Sequence, residues 1–326
     1  MRKHIHWAAL VVILAILTFP ATAAKKRYFV IATGGIGGTY YPLGGALAAA
    51  LSERIAGLVV TAQTGNASVA NSNLIARRSI ESAFVQNNVA TWAYTGTGLF
   101  EGKRPIRNLR AIASLYPEAI QVVAARASGI RKISDLRGKR VIVGAPGSGT
   151  AVDARLVLQA HGLKFSDLKV DYLGFAEAVQ RLKDRQTDAA FVSAGIPTAS
   201  ILELSAQAGI EILPVTGEGR AALLKLAPYY VPAVIPGGTY RGVDNDVETV
   251  TALAQWVVEA GVPADLLYRM TKALWESADG RPSAASVLAE AHTKGREVTL
   301  GTALQGNGIP LHPGAERYYR EKGMVK

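Results

Sequence analysis

Short apolar runs alternate with longer segments of helical period along most of this chain. The runs at 28–32, 58–62, 82–85, 140–143, 169–173, 188–192 and 210–215 have the length and β-branched content of buried strands. Between them, 42–55 sets Leu43, Ala46, Leu47, Ala50 and Leu51 on one face. Residues 68–77, 151–161, 175–185 and 197–208 also repeat at the helical period. Pro42 sits in the first turn of its helix, Asn66 or Ser68 is placed to cap the next, and Gly162 ends a third. Residues 134–138 read as a short helix stopped by Gly138, and 263–275 as a longer one. Residues 249–258 are ambiguous by period, and their β-branched content favours a strand. The last apolar patch is 309–311, after which Tyr318 and Tyr319 open a polar tail. This alternation predicts an α/β architecture with mostly parallel strands.

Two places look like crossings between lobes. Tyr116-Pro117 separates the expected strands 109–115 and 119–125, and 229–232 looks like the return. The predicted organisation is therefore a leader at 1–23, a first lobe of 24–116 plus 233–326, and a second lobe of 117–232. The leader follows from basic Arg2 and Lys3, an apolar run over 7–19, and Ala21-Thr22-Ala23 as the small-residue cleavage site. It predicts an exported, periplasmic protein cleaved near Ala23. Its apolar core is short for a membrane span. With no cysteine, the chain has no lipid anchor, disulfide or thiolate chemistry.

The net charge is +11, and losing Arg2 and Lys3 with the leader lowers it by two. The basic residues are scattered, without a stripe interleaved with aromatics. This argues for a solvated surface that steers anions, and against a nucleic-acid partner.

The most informative stretch is 144–150 (GAPGSGT), directly after Val141-Ile142-Val143. A strand that ends in a glycine-rich turn at a helix start aims unpaired N–H groups and hydroxyls at one point, which favours an anion. A second such turn, 33–42 (TGGIGGTYYP), follows the first strand. Two turns of this kind suggest two lobes facing one small anionic solute. Neither is a nucleotide fingerprint: Thr150 stands where a P-loop needs lysine, and Tyr40 where a dinucleotide fold needs a third small residue. Ser148 lacks the spacing of a hydrolase elbow. His161, His292 and His312 fall at no metal-ligand spacing and read as surface or structural residues. Nothing nominates a general acid and base, so the reading is binding without turnover, with no cofactor and no metal.

Four motifs then carry a family likeness: 33–42, 144–150, 229–239 (YYVPAVIPGGT) and 310–319 (PLHPGAERYY). With them the chain resembles the TAXI family of TRAP-transporter solute receptors over essentially all of its mature length. The resemblance implies a type II periplasmic-binding-protein fold, two α/β lobes with a ligand cleft between them. It implies TRAP permease membrane subunits as partners and a small carboxylate as ligand: a 2-oxoglutarate-like acid, glutamate or glutamine. The alternative is the solute-binding protein of an ABC importer or of a two-component sensor; an exported enzyme ranks lower.

Carried over from the resemblance, the ligand-binding candidates are Gly38, Thr39, Tyr40, Tyr41, Ser148, Gly149 and Thr150. Ser68 and Gln86 sit at element ends facing the same cleft, and Ala194 and Gly195 are weaker candidates. Each has a plainer reading beside it. One of Tyr40 and Tyr41 packs as core, Ser148 and Thr150 simply cap a helix, and Gln86 satisfies nearby backbone. Where the family commonly carries Gln-Ser-Asp, this chain has Gln86-Asn87-Asn88. The missing carboxylate shifts the expectation toward acids without an amine.

Overall fold

The computed structural model describes residues 26–326; the expected leader and its cleavage point lie outside the described residues. Ten strands form one sheet. In chain order they are β1 (Arg27–Ala32), β2 (Leu58–Gln63), β3 (Ser82–Gln86), β4 (Leu109–Ala125), β5 (Arg140–Ile142), β6 (Lys169–Asp171), β7 (Ala189–Ala194), β8 (Ile210–Leu213), β9 (Val231–Ile235) and β10 (Val247–Glu259). The spatial order is β2-β1-β3-β10-β4-β7-β5-β6, with β8 also pairing β4 and β9 pairing β10. The wings are parallel: β1 with β2 and β3, and β5 with β6 and β7. The centre is antiparallel, because β10 pairs β3, β4 and β9, and β4 pairs β7 and β8. The expected mostly parallel sheet is thus confined to the wings. Strands β3 and β7 are buried along their whole length, as covering both sheet faces requires.

Among the described residues, ten helices cover the sheet: α1 (Tyr40–Arg54), α2 (Ser68–Ala76), α3 (Asn87–Thr95), α4 (Gly149–Ala160), α5 (Phe175–Lys183), α6 (Ala199–Gln207), α7 (Gly217–Leu226), α8 (Ala264–Trp275), α9 (Ala284–Ala291) and α10 (Pro313–Glu321). Four apolar clusters result, two faces for each half of the sheet. In the first half, Leu43 and Leu47 of α1 pack with Trp256, Leu267 and Tyr319 on one face, and Ile75 and Val89 pack with Phe100 on the other. In the second half, Val157 and Leu158 pack with Phe191 and Leu223, and Val179 and Ile201 pack with Val192 and Tyr240.

Among the described residues, β4 and β10 are the strands that contribute to both halves, and α4 adds Val152 to the Ile75–Val89 core of the first. Ile112, Leu115 and Tyr116 belong to the first core, whereas Ile120, Val122 and Ala124 belong to the second. On β10 the change falls between Ala252 and Ala254. The chain crosses as one unbroken strand at Pro117, where two strands with the crossing between them were expected. Proline has no N–H for the ladder, so a break looked natural. Here Pro117 pairs with Leu253, the register slips beyond that pair, and the Leu253 N–H donates to Asn87 Oδ1 at 3.1 Å. The return is also later than 232, since Ile235, Tyr240, Val243 and Val250 pack in the second core. Residues 313–321 are helical, not a polar tail. Tyr318 and Tyr319 are buried, and the Tyr319 hydroxyl donates to Ile112 O at 2.9 Å.

Candidate functional site

The N-terminal turns of α1, α2, α4 and α5 meet on one cavity of about 300 Å³ between the halves of the sheet. Strand-to-helix turns at the carboxyl ends of α/β strands open on the same side, so topology alone brings these helix starts together. Each start carries a partial positive charge. The lining contains no lysine, arginine or histidine; its ionisable groups are Glu118, Glu177, Tyr40 and Tyr172.

The second-half wall is the 144–150 turn. Gly144 has φ +97°, and a Cβ there would stand 2.7 Å from Thr150 Cβ, so only glycine lets the turn fold back on its helix. Ser148 is the N-cap of α4, and its Oγ accepts the Ala151 N–H at 3.1 Å. The N–H groups of Gly149 and Thr150, and the Thr150 hydroxyl, have no protein partner among the described residues, and both residues line the cavity. In the first-half wall, the N–H groups of Tyr40 and Tyr41 are likewise unpaired at the start of α1. The start of α2 differs. The Gly147 carbonyl reaches across the cleft and accepts the N–H groups of Val69 and Ala70 at 3.1 and 3.0 Å. That helix therefore offers its dipole, with two of its donors already engaged.

Among the sequence candidates, Gly38, Thr39, Tyr40, Ser68, Gln86, Ser148, Gly149, Thr150 and Ala194 all line the cavity. Tyr41 and Gly195 do not. Tyr41 lies one position further round α1 and is 38% exposed. The Gly195 N–H is turned away to donate to Thr39 Oγ1 at 3.1 Å, a contact between the two halves. Tyr40 is the buried member of its pair, with its ring edge-on to Phe84. The Ser68 hydroxyl accepts the Gln86 N–H at 3.0 Å.

Sequence reasoning did not single out Glu118, Ser193, Tyr172 and Phe175 as site residues, yet all four line the cavity. Glu118 lies on β4 just past Pro117, 3% exposed, and its Oε2 accepts the Tyr40 hydroxyl at 2.8 Å. Burial pushes its carboxyl well above the usual range; the Tyr40 hydrogen bond opposes that and the nearby Asp153 charge adds to it. Asp153, fully buried on α4, accepts Gln86 Nε2–H at 2.8 Å and the Tyr230 hydroxyl. Burial raises it, against the hydrogen bonds from Tyr230 and Gln86. The one available signal was a lone acid in an otherwise apolar stretch, as at Glu118 between Tyr116 and Ile120 or Asp153 between Val152 and Ala154. His312 is structural: it is buried and caps α10, its Nδ1 accepting the Gly314 N–H at 3.2 Å.

The fold is shared with solved binding proteins of low identity. The structure of PhnD1 from Prochlorococcus marinus in complex with methylphosphonate is 9% identical, with 91% of this chain and 99% of that chain covered and a TM-score of 0.54. A structure described as a periplasmic transporter is 14% identical, with coverages of 93% and 95% and a TM-score of 0.53. The alkanesulfonate-binding protein SsuA from Xanthomonas axonopodis pv. citri, bound to MOPS, is 18% identical, with coverages of 91% and 85% and a TM-score of 0.49. On the first two, whose TM-scores exceed 0.5, the architecture is the type II periplasmic-binding-protein fold that the resemblance implied. The model of the NMT1-like family matches residues 31–323, nearly the whole described chain, and the protein belongs to the NMT1-like family.

Proposed function

We propose that the protein is an exported solute receptor that closes its two lobes on a small oxyanion and delivers it to a membrane permease. The observation that carries this reading is the convergence of four helix starts on one cavity of about 300 Å³ with no basic side chain in its lining. A carboxylate, phosphonate or sulfonate is held there by oriented backbone dipoles, as anions are at helix N-termini generally. In this reading the lobes divide at Pro117 on β4 and near Leu253 on β10. Gly38, Thr39 and Tyr40 meet the solute from one side, and Gly149, Thr150 and Ala194 from the other.

The motif resemblance names a TRAP permease and a carboxylate. Methylphosphonate in a protein of the same fold favours the alternative, a receptor for another importer such as an ABC system, and widens the ligand class to small oxyanions. The genes beside this one discriminate the two readings: a permease of the TRAP type, or an ATPase with its own permease. Among the described residues, no helix is long and apolar enough to cross a membrane. The leader expected at 1–23 supports a periplasmic location.

The test is a thermal-shift screen of the mature protein against 2-oxoglutarate, succinate, L-glutamate, L-glutamine, methylphosphonate and methanesulfonate. At a hundred times its Kd a ligand stabilises by about 2.7 kcal/mol, which for a chain of this size is roughly 4–5 °C in Tm. At least one of these solutes is expected to reach that shift and to be recovered chemically unchanged. A flat response to all six overturns the reading.

A further inference from the structure

The cavity holds one buried carboxyl and no cation to balance it. We propose that Glu118 meets the bound oxyanion as a neutral carboxylic acid, so that solute binding and proton uptake at this residue are coupled. This deepens the receptor reading and rests on it, adding the residue that decides which charge form of the solute is accepted.

The geometry leaves one oxygen of Glu118 for this purpose. Oε2 already accepts the Tyr40 hydroxyl, whereas Oε1 has no protein partner among the described residues, and the side chain lines the cavity. The ionisable groups around it are almost all acidic. Tyr116 comes from β4 itself, Tyr40 from α1, Asp153 from α4 and Glu177 from the exposed rim on α5. On the neighbouring strands, β10 places Ala252 opposite Glu118, and β7 brings the neutral Ser193. Lys294 lies with its stem against Gly195, and its ammonium is paired with Glu297 Oε1 at 2.6 Å. An anion drawn to the helix starts therefore shares a small space with a carboxylate that no free cation offsets. A proton on Oε1 removes that repulsion and converts an unmatched acceptor into a donor for the ligand. Burial and Asp153 already push Glu118 in this direction.

The experiment is calorimetry on the mature protein with 2-oxoglutarate, methanesulfonate and L-glutamate, from about pH 6 to 8.5, where these probes hold constant charge. Buffers of differing ionisation enthalpy report the protons taken up. For the two probes lacking an amine, the expected result is uptake rising toward one proton per ligand, with Kd rising toward about tenfold per pH unit at the alkaline end. Glu118→Gln keeps a donor in place and is expected to bind with no proton uptake and a pH-independent Kd. Tyr40→Phe removes the hydrogen bond that holds the carboxyl down, so it moves the onset of the pH dependence upward. Circular dichroism and thermal melts check that both variants fold.

Binding without proton uptake, with the same pH-independent Kd in wild type and Glu118→Gln, overturns the proposal while leaving the receptor intact. Binding of L-glutamate alone, weakened tenfold or more by Glu118→Gln, also overturns it and assigns Glu118 as an ionised partner of an ammonium. If none of the three binds, the titration is repeated with succinate, L-glutamine and methylphosphonate, and failure of all six overturns the receptor reading, and this proposal with it.

Discussion

Ser148 and Thr150 stand two residues apart at the same helix start and do different work. The Ser148 hydroxyl is spent inside the protein as the cap of α4, whereas that of Thr150 faces the cavity with no protein partner. Thr150→Val keeps the shape and removes only the hydroxyl. It is expected to weaken binding of the best solute from the screen at least tenfold in calorimetry, with Tm unchanged, since a hydrogen bond to a charged group contributes about 1.5–3 kcal/mol. An unaltered Kd defeats the assignment. The 144–150 turn was legible in the sequence because capping and turn chemistry are local, and its glycines, serine and threonine sit within one heptapeptide. Glu118 was not, because its meaning depends on Tyr40, 78 positions away. Nor did the sequence separate Tyr40 from Tyr41, since neighbours in the first turn of a helix differ only in what the rest of the fold sets against them.

Elements were readable where period and length agreed. Helices α1, α4, α5, α6 and α8 lie close to their expected positions, with ends differing by a few residues. The short helices α3, α7 and α9 were missed, and α10 was taken for a tail. In α10 the apolar contacts rest on Ala315, Tyr318 and Tyr319 alone, with charged residues filling the other face. At this scale the sharpest consequence concerns the start of α4. A Cβ on Gly149 would fall 1.8 Å from Gln86 Oε1 and 2.9 Å from Ser68 Oγ, both on the other half. Gln86 can yield only by giving up its hydrogen bond to Asp153. The backbone of Gly149 is not in the left-handed region, so Gly149→Ala is expected to fold normally, with the Tm of the unliganded protein within a degree or two of wild type. The same change keeps the halves from meeting, and the Kd of the best solute is expected to rise tenfold or more. Full affinity in this variant overturns the view that Gly149 is where the lobes touch.

For the whole molecule, contacts across the cleft are mostly polar, the apolar ones including Val152 of α4 in the Ile75–Val89 core and the Trp92 ring edge-on to Tyr229. The polar ones include Gly147 O with the start of α2, Gln86 with Asp153, Asn88 with Tyr230, Thr39 with Gly195, and the Ser200 N–H with Gly37 O at 3.3 Å. Among the described residues the apolar cores join the halves along β4 and β10 and at Val152 and Leu156 of α4. Polar contacts of this kind exchange readily with water, each contributing about 1 kcal/mol net, so the closed arrangement depends on what the cavity holds. Small-angle scattering is expected to show a larger radius of gyration for the unliganded mature protein than for the same protein saturated with its solute. Identical scattering curves with and without a bound solute contradict closure. Two lobes were foreseeable from chain length and the alternation of elements. The true return point was not, because residues 233–252 look like any other loop and strand until their packing against α5, α6 and β4 is seen.

The links between the halves are paired strands rather than loose connectors. A ladder of antiparallel hydrogen bonds cannot swivel at a point; it bends and twists along its length, and it recoils when released. Slippage of register around Leu253 and the missing donor at Pro117 put the weakest rungs midway, so the flexure concentrates there. On the proposed receptor reading, a spring of this construction opposes closure and favours release when the contacts across the cleft part.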